Sequence, residues 1–440
     1  MNVVENPAPR PQLSPLQRRF ISFLILLGAV SLFWGLYKIG VSEPIDSPPQ
    51  ALSIPAGAKA PEVAVSLAAN LNAPLLEGNR VTLLENGDEI FPAMLGSIRS
   101  ARQSVNLLTY VYWEGEIAHT FANELSAAAK RGVRVRVLID AFGGKSMDRA
   151  WVEMMRSAGC EVAWFRPLRW NMLDRVNNRT HRKALIIDGR VAYTGGVGIA
   201  QQWVGNAQDA DHWRDDHFRL EGPVVRYIQG SFAENWHEAS GTVLAGDDLF
   251  PSLAPIGNAR AVPISTTPGD DFGGIPFTYW LLFRAAQREV LIATPYYVPD
   301  PDIGLGLIEA ARRGVRVTLL IPGPHQESAV VRYASYTYYR ELLEAGVRIF
   351  EYQPTVMHTK LVIVDGAWAL IGSPNFDSRS IELNYENAVA VYDEAFAARL
   401  SESFAHDLTR SKEVAREDVE RWGVFARARN ALAALLREQL

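Results

Sequence analysis

The chain repeats its own secondary-structure pattern, and that repetition limits its fold more than any other feature. In the first half an apolar run at 104–113 is followed by a helical pattern at 117–130. Then comes Lys130-Arg131-Gly132-Val133-Arg134-Val135-Arg136-Val137-Leu138-Ile139-Asp140. In the second half, 289–298 and 303–313 precede Arg312-Arg313-Gly314-Val315-Arg316-Val317-Thr318-Leu319-Leu320-Ile321-Pro322. Each unit reads as strand, helix, glycine cap, strand. Cations fill the last helical turn, glycine ends it, and a β-branched run follows. A second cycle also matches: 152–159 leads to Val162-Ala163-Trp164-Phe165, and 339–346 leads to Val347-Arg348-Ile349-Phe350. Alternating strands and helices predict an α/β fold, with mixed sheets flanked by helices. Two copies in one chain of 440 residues predict two homologous lobes forming an intramolecular pseudo-dimer. The boundaries fall at 76–250 for the first lobe, 251–410 for the second and 411–440 for a helical tail.

The groups capable of chemistry sit at matching points of the two halves. The first half reads His181-Arg182-Lys183-Ala184-Leu185-Ile186-Ile187-Asp188-Gly189, and the second His358-Thr359-Lys360-Leu361-Val362-Ile363-Val364-Asp365-Gly366. Side chains two apart project from one face of a strand. An imidazole and an ammonium therefore point the same way, twice. A lone His-x-Lys is usually a solvated strand end; two copies at one place in a repeat leave that reading little room. Metal ligation is not implied. The single cysteine, Cys160, reads as a small half-buried residue, and no Cys cluster or Glu-flanked His pair at helical spacing appears. His212 and His217, which flank Trp213-Arg214-Asp215, read as surface or supporting residues.

The paired motifs resemble those of the phospholipase D superfamily with two His-Lys-Asp motifs, and within it the bacterial cardiolipin synthase type. The resemblance covers roughly 76–410. It extends to Trp213-Arg214-Asp215-Asp216-His217, to Thr294-Pro295-Tyr296-Tyr297-Val298-Pro299-Asp300, and to Gly372-Ser373-Pro374-Asn375-Phe376-Asp377-Ser378-Arg379-Ser380. Glu382-Leu383-Asn384-Tyr385-Glu386-Asn387 closes the second site. One departure is Gly198, which stands where the family often has the asparagine that Asn375 supplies in the second half.

The resemblance implies phosphoryl chemistry without a cofactor. Lys183 and Lys360, with Asn375, Ser373 and the Gly195-Gly196 backbone, are the expected phosphate donors. One histidine attacks phosphorus while the other serves as acid and then as base. By resemblance His181 is the nucleophile and His358 the acid/base, although near-symmetry leaves the order open. Each histidine needs an orienting carboxylate, and the expected pairs are Asp215 with His181 and Glu386 with His358. Asp188 and Asp365 lie seven residues past their histidines, an odd offset that turns them from the catalytic face toward a structural role at the turn. Tyr296, Tyr297, Tyr110, Tyr112 and Trp113 line a substrate channel or serve as core. The expected reaction is phosphatidyl transfer between phospholipids, such as two phosphatidylglycerols giving cardiolipin and glycerol, with phosphatidylethanolamine a possible second substrate. The alternatives are hydrolysis to phosphatidic acid, nucleic-acid cleavage, and a scaffold with a retired site; the last is disfavoured because all four His and Lys residues remain.

Charge and the N-terminus bear on partners. Lys plus Arg number 44 against 49 Asp plus Glu, a net charge of −5, without the basic excess of a nucleic-acid binder. Residues 20–37 carry no charge, and such a run spans ~27 Å as a helix, close to bilayer thickness. Arg18 and Arg19 bound one end, Trp34, Tyr37 and Lys38 the other. The expectation is a cytoplasmic tail at 1–17, an anchor at 18–40 and a Pro- and Ala-rich linker at 41–75. The cations before the run place the catalytic part outside a cell (inner) membrane crossed once. The stretch from 414 to 440 reads as a solvated or packed helix, with an anionic bilayer surface as the other setting. No second subunit is needed to complete the site.

Overall fold

The computed structural model describes residues 19, 21–31, 60–168, 177–268, 273–299 and 301–436. The expected tail 1–17, most of the linker, Asp300, the last four residues and much of the anchor lie outside them. Within the anchor run, 21–31 are helical. Among the described residues no helix is long and apolar enough to cross a membrane.

The first half contributes β1 (Leu76–Glu85), β2 (Ser104–Thr109), β3 (Arg134–Asp140), β4 (Glu161–Phe165), β5 (Ala184–Ile187), β6 (Val191–Gly195) and β7 (Asp216–Glu221). The second contributes β8 (Ala259–Thr266), β9 (Glu289–Ala293), β10 (Tyr297–Val298), β11 (Arg316–Pro322), β12 (Arg348–Tyr352), β13 (Leu361–Val364), β14 (Trp368–Gly372), β15 (Phe376–Asp377), β16 (Glu386–Tyr392) and β17 (Ser411–Glu413). Fifteen of these form one sheet, in the order β17-β12-β11-β9-β13-β14-β16-β8-β1-β7-β6-β5-β2-β3-β4. β1 and β8 pair antiparallel at its middle. Read outward from them, β7, β6, β5, β2, β3, β4 and β16, β14, β13, β9, β11, β12 are the same sequence of strands. This is the pseudo-dimer the repeat predicts, joined edge to edge.

Local sequence explains the repeated parts. β2, β3 and β4 run parallel through helical crossovers, and β9, β11 and β12 do likewise. Gly132 and Gly314 hold φ of +90° and +93° where the helices end, a left-handed conformation that glycine adopts without steric penalty. β5–β6 and β13–β14 are antiparallel hairpins. Their turns carry Asp188-Gly189 and Asp365-Gly366 at positive φ, the geometry whose twist suits a hairpin.

Three apolar cores hold the sheet. One packs Phe91, Phe121 and Leu125 under the first lobe, and one packs Leu282, Leu307 and Ile349 under the second. The third covers the join: Ile228, Phe232 and Trp236 of helix Val225–Ser240 lie in one cluster with Leu400 and Phe404 of helix Glu394–Thr409. That shared layer fixes how the two lobes meet.

One expectation is corrected. Residues 60–70, assigned to the linker, form a helix that buries Val63, Ala64, Leu67 and Ala68 in the second lobe's core with Ile275 and Tyr279. Small residues hid the stripe, but its spacing is that of one helical face. The described part of the expected tail, 411–436, is likewise built in. β17 pairs antiparallel with β12, and helix Val424–Ala434 packs on helix Ala329–Glu344.

Candidate active site

The site forms where the two lobes exchange short backbone bridges. Thr180 pairs with Tyr385, and Arg214 with Met357, both parallel. The His181 N–H donates to the Tyr385 carbonyl at 2.9 Å, and the His358 N–H to the Arg214 carbonyl at 2.7 Å. Each histidine therefore enters its strand beside the segment carrying the other lobe's acid. His181 Nδ1 meets Glu386 Oε1 at 2.8 Å, and His358 Nδ1 meets Asp215 Oδ2 at 2.6 Å. This reverses the expected pairing: Asp215 belongs to His358 and Glu386 to His181. The expectation kept each acid with its own lobe, whereas the bridges cross. With Nδ1 tied to a carboxylate, Nε2 is the nitrogen each ring can present to a substrate.

The lysines complete a buried cluster. The Lys183 ammonium donates to the His181 carbonyl at 3.0 Å, and the Lys360 ammonium to the His358 carbonyl at 2.9 Å. Both histidines, both lysines and both acids are buried. Burial, then repulsion from Lys360, pulls Lys183 down to about 7; burial lowers Lys360 as well. Burial brings His181 down to about 4, against the pull of Glu386. His358 is lowered by burial and by Lys360. Burial alone would raise the two acids, but the partners prevail. His358 and Lys360 hold Asp215 below its usual range, and His181 and Lys183 do the same for Glu386. Two carboxylates thus orient two imidazoles, and burial disfavours the charged form of both rings and of both ammonium groups, which await the negative charge of a substrate. An entering phosphodiester supplies that charge and relieves the repulsion between the lysines.

Different side chains hold the two acids. Ser373 Oγ donates to Glu386 Oε2 at 2.5 Å and accepts from the Asn387 N–H at 3.0 Å. Its proton is committed, so Ser373 positions Glu386 and is not the phosphate donor expected of it. In the first lobe the indole of Trp203 donates to Asp215 Oδ2 at 2.8 Å. A Cβ on Gly198 would lie 2.6 Å from Val111 Cβ and 3.2 Å from Trp203 Cζ3. The missing asparagine thus goes with an indole wall. Gly196 meets a similar limit: a Cβ there would lie 2.2 Å from Asp215 Oδ1. Its N–H donates to the Asp216 carbonyl at 3.2 Å, and Gly195 pairs with His217 in the β6–β7 ladder. The Gly196 N–H is therefore committed to the sheet and its Cα packs on Asp215, which corrects the assignment of Gly196 to the phosphate. Asn375 is buried; its side chain hydrogen-bonds Asp377, and its Oδ1 has no protein partner.

Two buried arginines brace the crossing. Arg182 Nε donates to the Glu386 carbonyl at 3.2 Å and its Nη2 to Ser265 Oγ at 2.7 Å. Arg214 Nη1 donates to the Asp215 carbonyl at 2.9 Å and its Nε to Asp407 Oδ2 at 3.0 Å. Asp188 and Asp365 stand apart from the histidines. Asp188 accepts from the backbone N–H of Arg102, Gln103 and Ser104, and Asp365 from those of Gln287, Arg288 and Glu289.

Aromatic rings wall the histidines. Tyr110 meets His181 edge-on at 5.3 Å, and Trp203 and Trp213 lie 5.3 Å and 5.6 Å from His358. Tyr112 is buried core and Tyr297 stacks on Phe376, whereas Trp113 is only partly buried and donates to the Gly143 carbonyl. One acid escaped the sequence reading. Glu327, in the turn after β11, accepts from the Tyr296 hydroxyl and lies 3.9 Å from His358 Nε2. No motif marks it. Among the described residues no group of three His, Cys, Asp or Glu suits a metal ion. His212 pairs with Asp209 at 2.6 Å; His217 and Cys160 are buried.

A pseudo-twofold α/β sheet with two His-x-Lys sites at its join defines an enzyme of the phospholipase D class. A family model described as cardiolipin synthase, PLD-like domain, matches residues 94–236 and 281–408. A cardiolipin synthase of Geobacillus kaustophilus is 33% identical over 82% of this chain and 73% of its own length. The major cardiolipin synthase ClsA of Bacillus subtilis is 32% identical over 83% of this chain and 77% of its own. The chain belongs to this cardiolipin synthase family. A phosphatidylserine synthase structure from Haemophilus influenzae shares the fold, with a TM-score of 0.64 at 14% identity, covering 86% of this chain and 100% of its own.

Proposed function

We propose that this enzyme moves a phosphatidyl group from one phospholipid onto the head-group alcohol of another, making cardiolipin and glycerol from two phosphatidylglycerols. The observation that carries the reading is the crossed pair of histidines, each oriented by a carboxylate of the other lobe and each beside a lysine. His181 Nε2 attacks phosphorus, and the glycerol oxygen leaves with the Nε2 proton of His358, which enters this step as the imidazolium that Asp215 and the bound phosphate favour. A phosphatidyl group remains on His181. A second phosphatidylglycerol hydroxyl then gives its proton to His358 and attacks phosphorus, releasing cardiolipin and freeing His181. Lys183 and Lys360 balance the charge on the non-bridging oxygens, with Asn375 at the edge of the site. Neither a cofactor nor a second subunit enters this scheme.

The substrates are bilayer lipids, and the same proposal gives residues 18–40 the role of a single-pass anchor with the catalytic part outside the cell membrane. Its support is the uncharged run at 20–37, helical over the described residues 21–31. Reporter fusions at each terminus test it, and a cytoplasmic C-terminus rejects the orientation.

The deciding experiment gives the full-length protein phosphatidylglycerol vesicles and reads the lipids by mass spectrometry, beside His181→Ala and His358→Ala. Cardiolipin with free glycerol, absent in both variants, supports the transferase. Phosphatidic acid alone means that water is the acceptor. If no product forms, even with phosphatidylethanolamine added, the lipid reading falls.

A further inference from the structure

Helix Val424–Ala434 buries only one narrow face. Asn430 and Ala433 are buried, and Ala433 shares a cluster with Val298, Val331 and Ala334, against which Tyr296 packs. The opposite face is apolar and uncovered: Val424 is 81% exposed, Phe425 93%, Leu432 66%, Leu435 79% and Leu436 51%. At helical spacing these five fall on one continuous stripe, Leu435 and Leu436 continuing it in the turn that ends the helix. Five large apolar side chains exposed together are a patch that a soluble surface does not ordinarily carry, unlike scattered single ones.

Charge says what covers it. Arg421, Arg427 and Arg429 are exposed along this segment, and 421–436 contains no Asp or Glu. The Arg429 guanidinium lies 3.7 Å over the Tyr333 ring, which ties the helix to its neighbour. An apolar stripe flanked by cations is the pattern of a helix lying in the interface of an anionic bilayer. Location agrees. The helix touches the cluster that includes Tyr296; the Tyr296 hydroxyl bonds Glu327, which stands 3.9 Å from His358 Nε2. Side chain by side chain, these contacts connect the buried face of the helix to the catalytic histidine.

We propose that helix Val424–Ala434 docks on the surface of an anionic phospholipid bilayer and holds the catalytic mouth against the lipid it uses. The proposal rests on the lipid-substrate reading for its purpose, but its binding test does not depend on turnover. The native chain has one cysteine, Cys160, which is buried. Leu432→Cys in the full-length chain therefore carries a polarity-sensitive fluorophore at one accessible site. The labelled protein is incorporated into phosphatidylglycerol vesicles and, separately, into phosphatidylcholine vesicles. The expected result is a blue-shifted emission, quenched by lipids bearing a spin label on the acyl chain, stronger in phosphatidylglycerol and weakened by salt. An emission as in water in both vesicles overturns the proposal. So does a blue shift already present without vesicles, which means the stripe is covered by protein, either a second copy or this chain's own segment.

A second measurement uses Phe425→Asp with Leu432→Asp, outside the catalytic machinery. Transfer in phosphatidylglycerol vesicles is expected to fall about tenfold or more, from the apolar burial lost. Transfer with short-chain phosphatidylglycerol below its critical micelle concentration is expected to be unchanged. Equal loss in both, or loss in neither, rejects docking. A shifted probe without cardiolipin formation would keep the docking and reject the transferase reading.

Discussion

His181 and Glu386 lie 205 positions apart in the chain and share a 2.8 Å hydrogen bond. The reciprocal pair, His358 and Asp215, spans 143 positions at 2.6 Å. Neither lobe thus contains a complete half-site: each supplies a histidine to the other's acid. Catalytic competence depends on the docking of the lobes, which explains why that seam holds the shared apolar layer and the two buried arginines. A chain cut between the lobes, at 241–258, is expected to have no activity in either half alone.

Exchanging a carboxylate for its amide tests the crossing directly. An amide of the same shape favours the wrong imidazole tautomer, and in the serine-protease triad, where a carboxylate orients a histidine in the same way on an unrelated fold, that change costs about ten-thousand-fold in kcat. Glu386→Gln and Asp215→Asn are expected to lose at least about a hundredfold each. The step affected should differ. Asp215→Asn weakens His358, so the phosphatidyl group should linger on His181 and be found on its peptide by mass spectrometry. Glu386→Gln weakens His181, and little adduct should form. An adduct accumulating in Glu386→Gln, on the His358 peptide, would exchange the roles of the two histidines.

The charges imply a pH profile. A nucleophile must be neutral, so His181 works above its pKa, brought down to about 4. A phosphate-binding ammonium must be protonated, so Lys183 works below its own, pulled down to about 7. With short-chain monomeric substrate, kcat/KM should fall as pH drops through about 4, and fall again as pH rises, first as His358, held below the usual imidazole range, loses its acid proton and then as Lys183 loses its own. The alkaline limb of kcat should lie higher, because bound phosphate favours the ammonium form. A kcat/KM that climbs steadily from neutral pH to pH ~9 would contradict this assignment of charge.

The sequence carried the local facts. His-x-Lys at two matching strand entrances is a short pattern, and its meaning came from the repeat around it. The turn role of Asp188 and Asp365 followed from strand parity. The crossed pairing was not legible, because nothing local tells Glu386 that residue 181 will pass beside it; the Thr180–Tyr385 and Arg214–Met357 bridges do so. Ser373 and Gly196 resembled phosphate donors by position, yet their N–H and O–H groups are committed to neighbouring protein oxygens. Glu327 carries no motif, since a turn after β11 brings it to His358 only in the folded chain. The helix at 60–70 was hidden by small residues that look like a linker and pack like a core.

Gly198→Asn tests whether the departure from the family pattern is a lost donor or a different packing. Its Cβ would meet Val111 Cβ at 2.6 Å, with Trp203 behind it. Overpacking of this kind costs about 1–3 kcal/mol. The melting temperature should fall, and activity should drop as Trp203 releases Asp215. Increased activity at unchanged stability would mean that the site lacks a phosphate donor there after all.

Asp188→Ala and Asp365→Ala separate structure from chemistry in the motif that contains them. Each carboxylate accepts from three successive backbone N–H groups, of Arg102, Gln103 and Ser104 or of Gln287, Arg288 and Glu289. These groups lead into β2 and β9, the strands beside β5 and β13, which begin three residues after the histidines. Removing an acceptor leaves donors that water replaces only in part, at a cost of about 1–3 kcal/mol. The expected readout is a lower urea midpoint for each variant, with kcat per folded molecule within a few-fold of the parent. Because both turns sit on the far end of their strands from the histidines, the pH profile should not move. A large loss of kcat with an unchanged urea midpoint would place these aspartates in the chemistry instead.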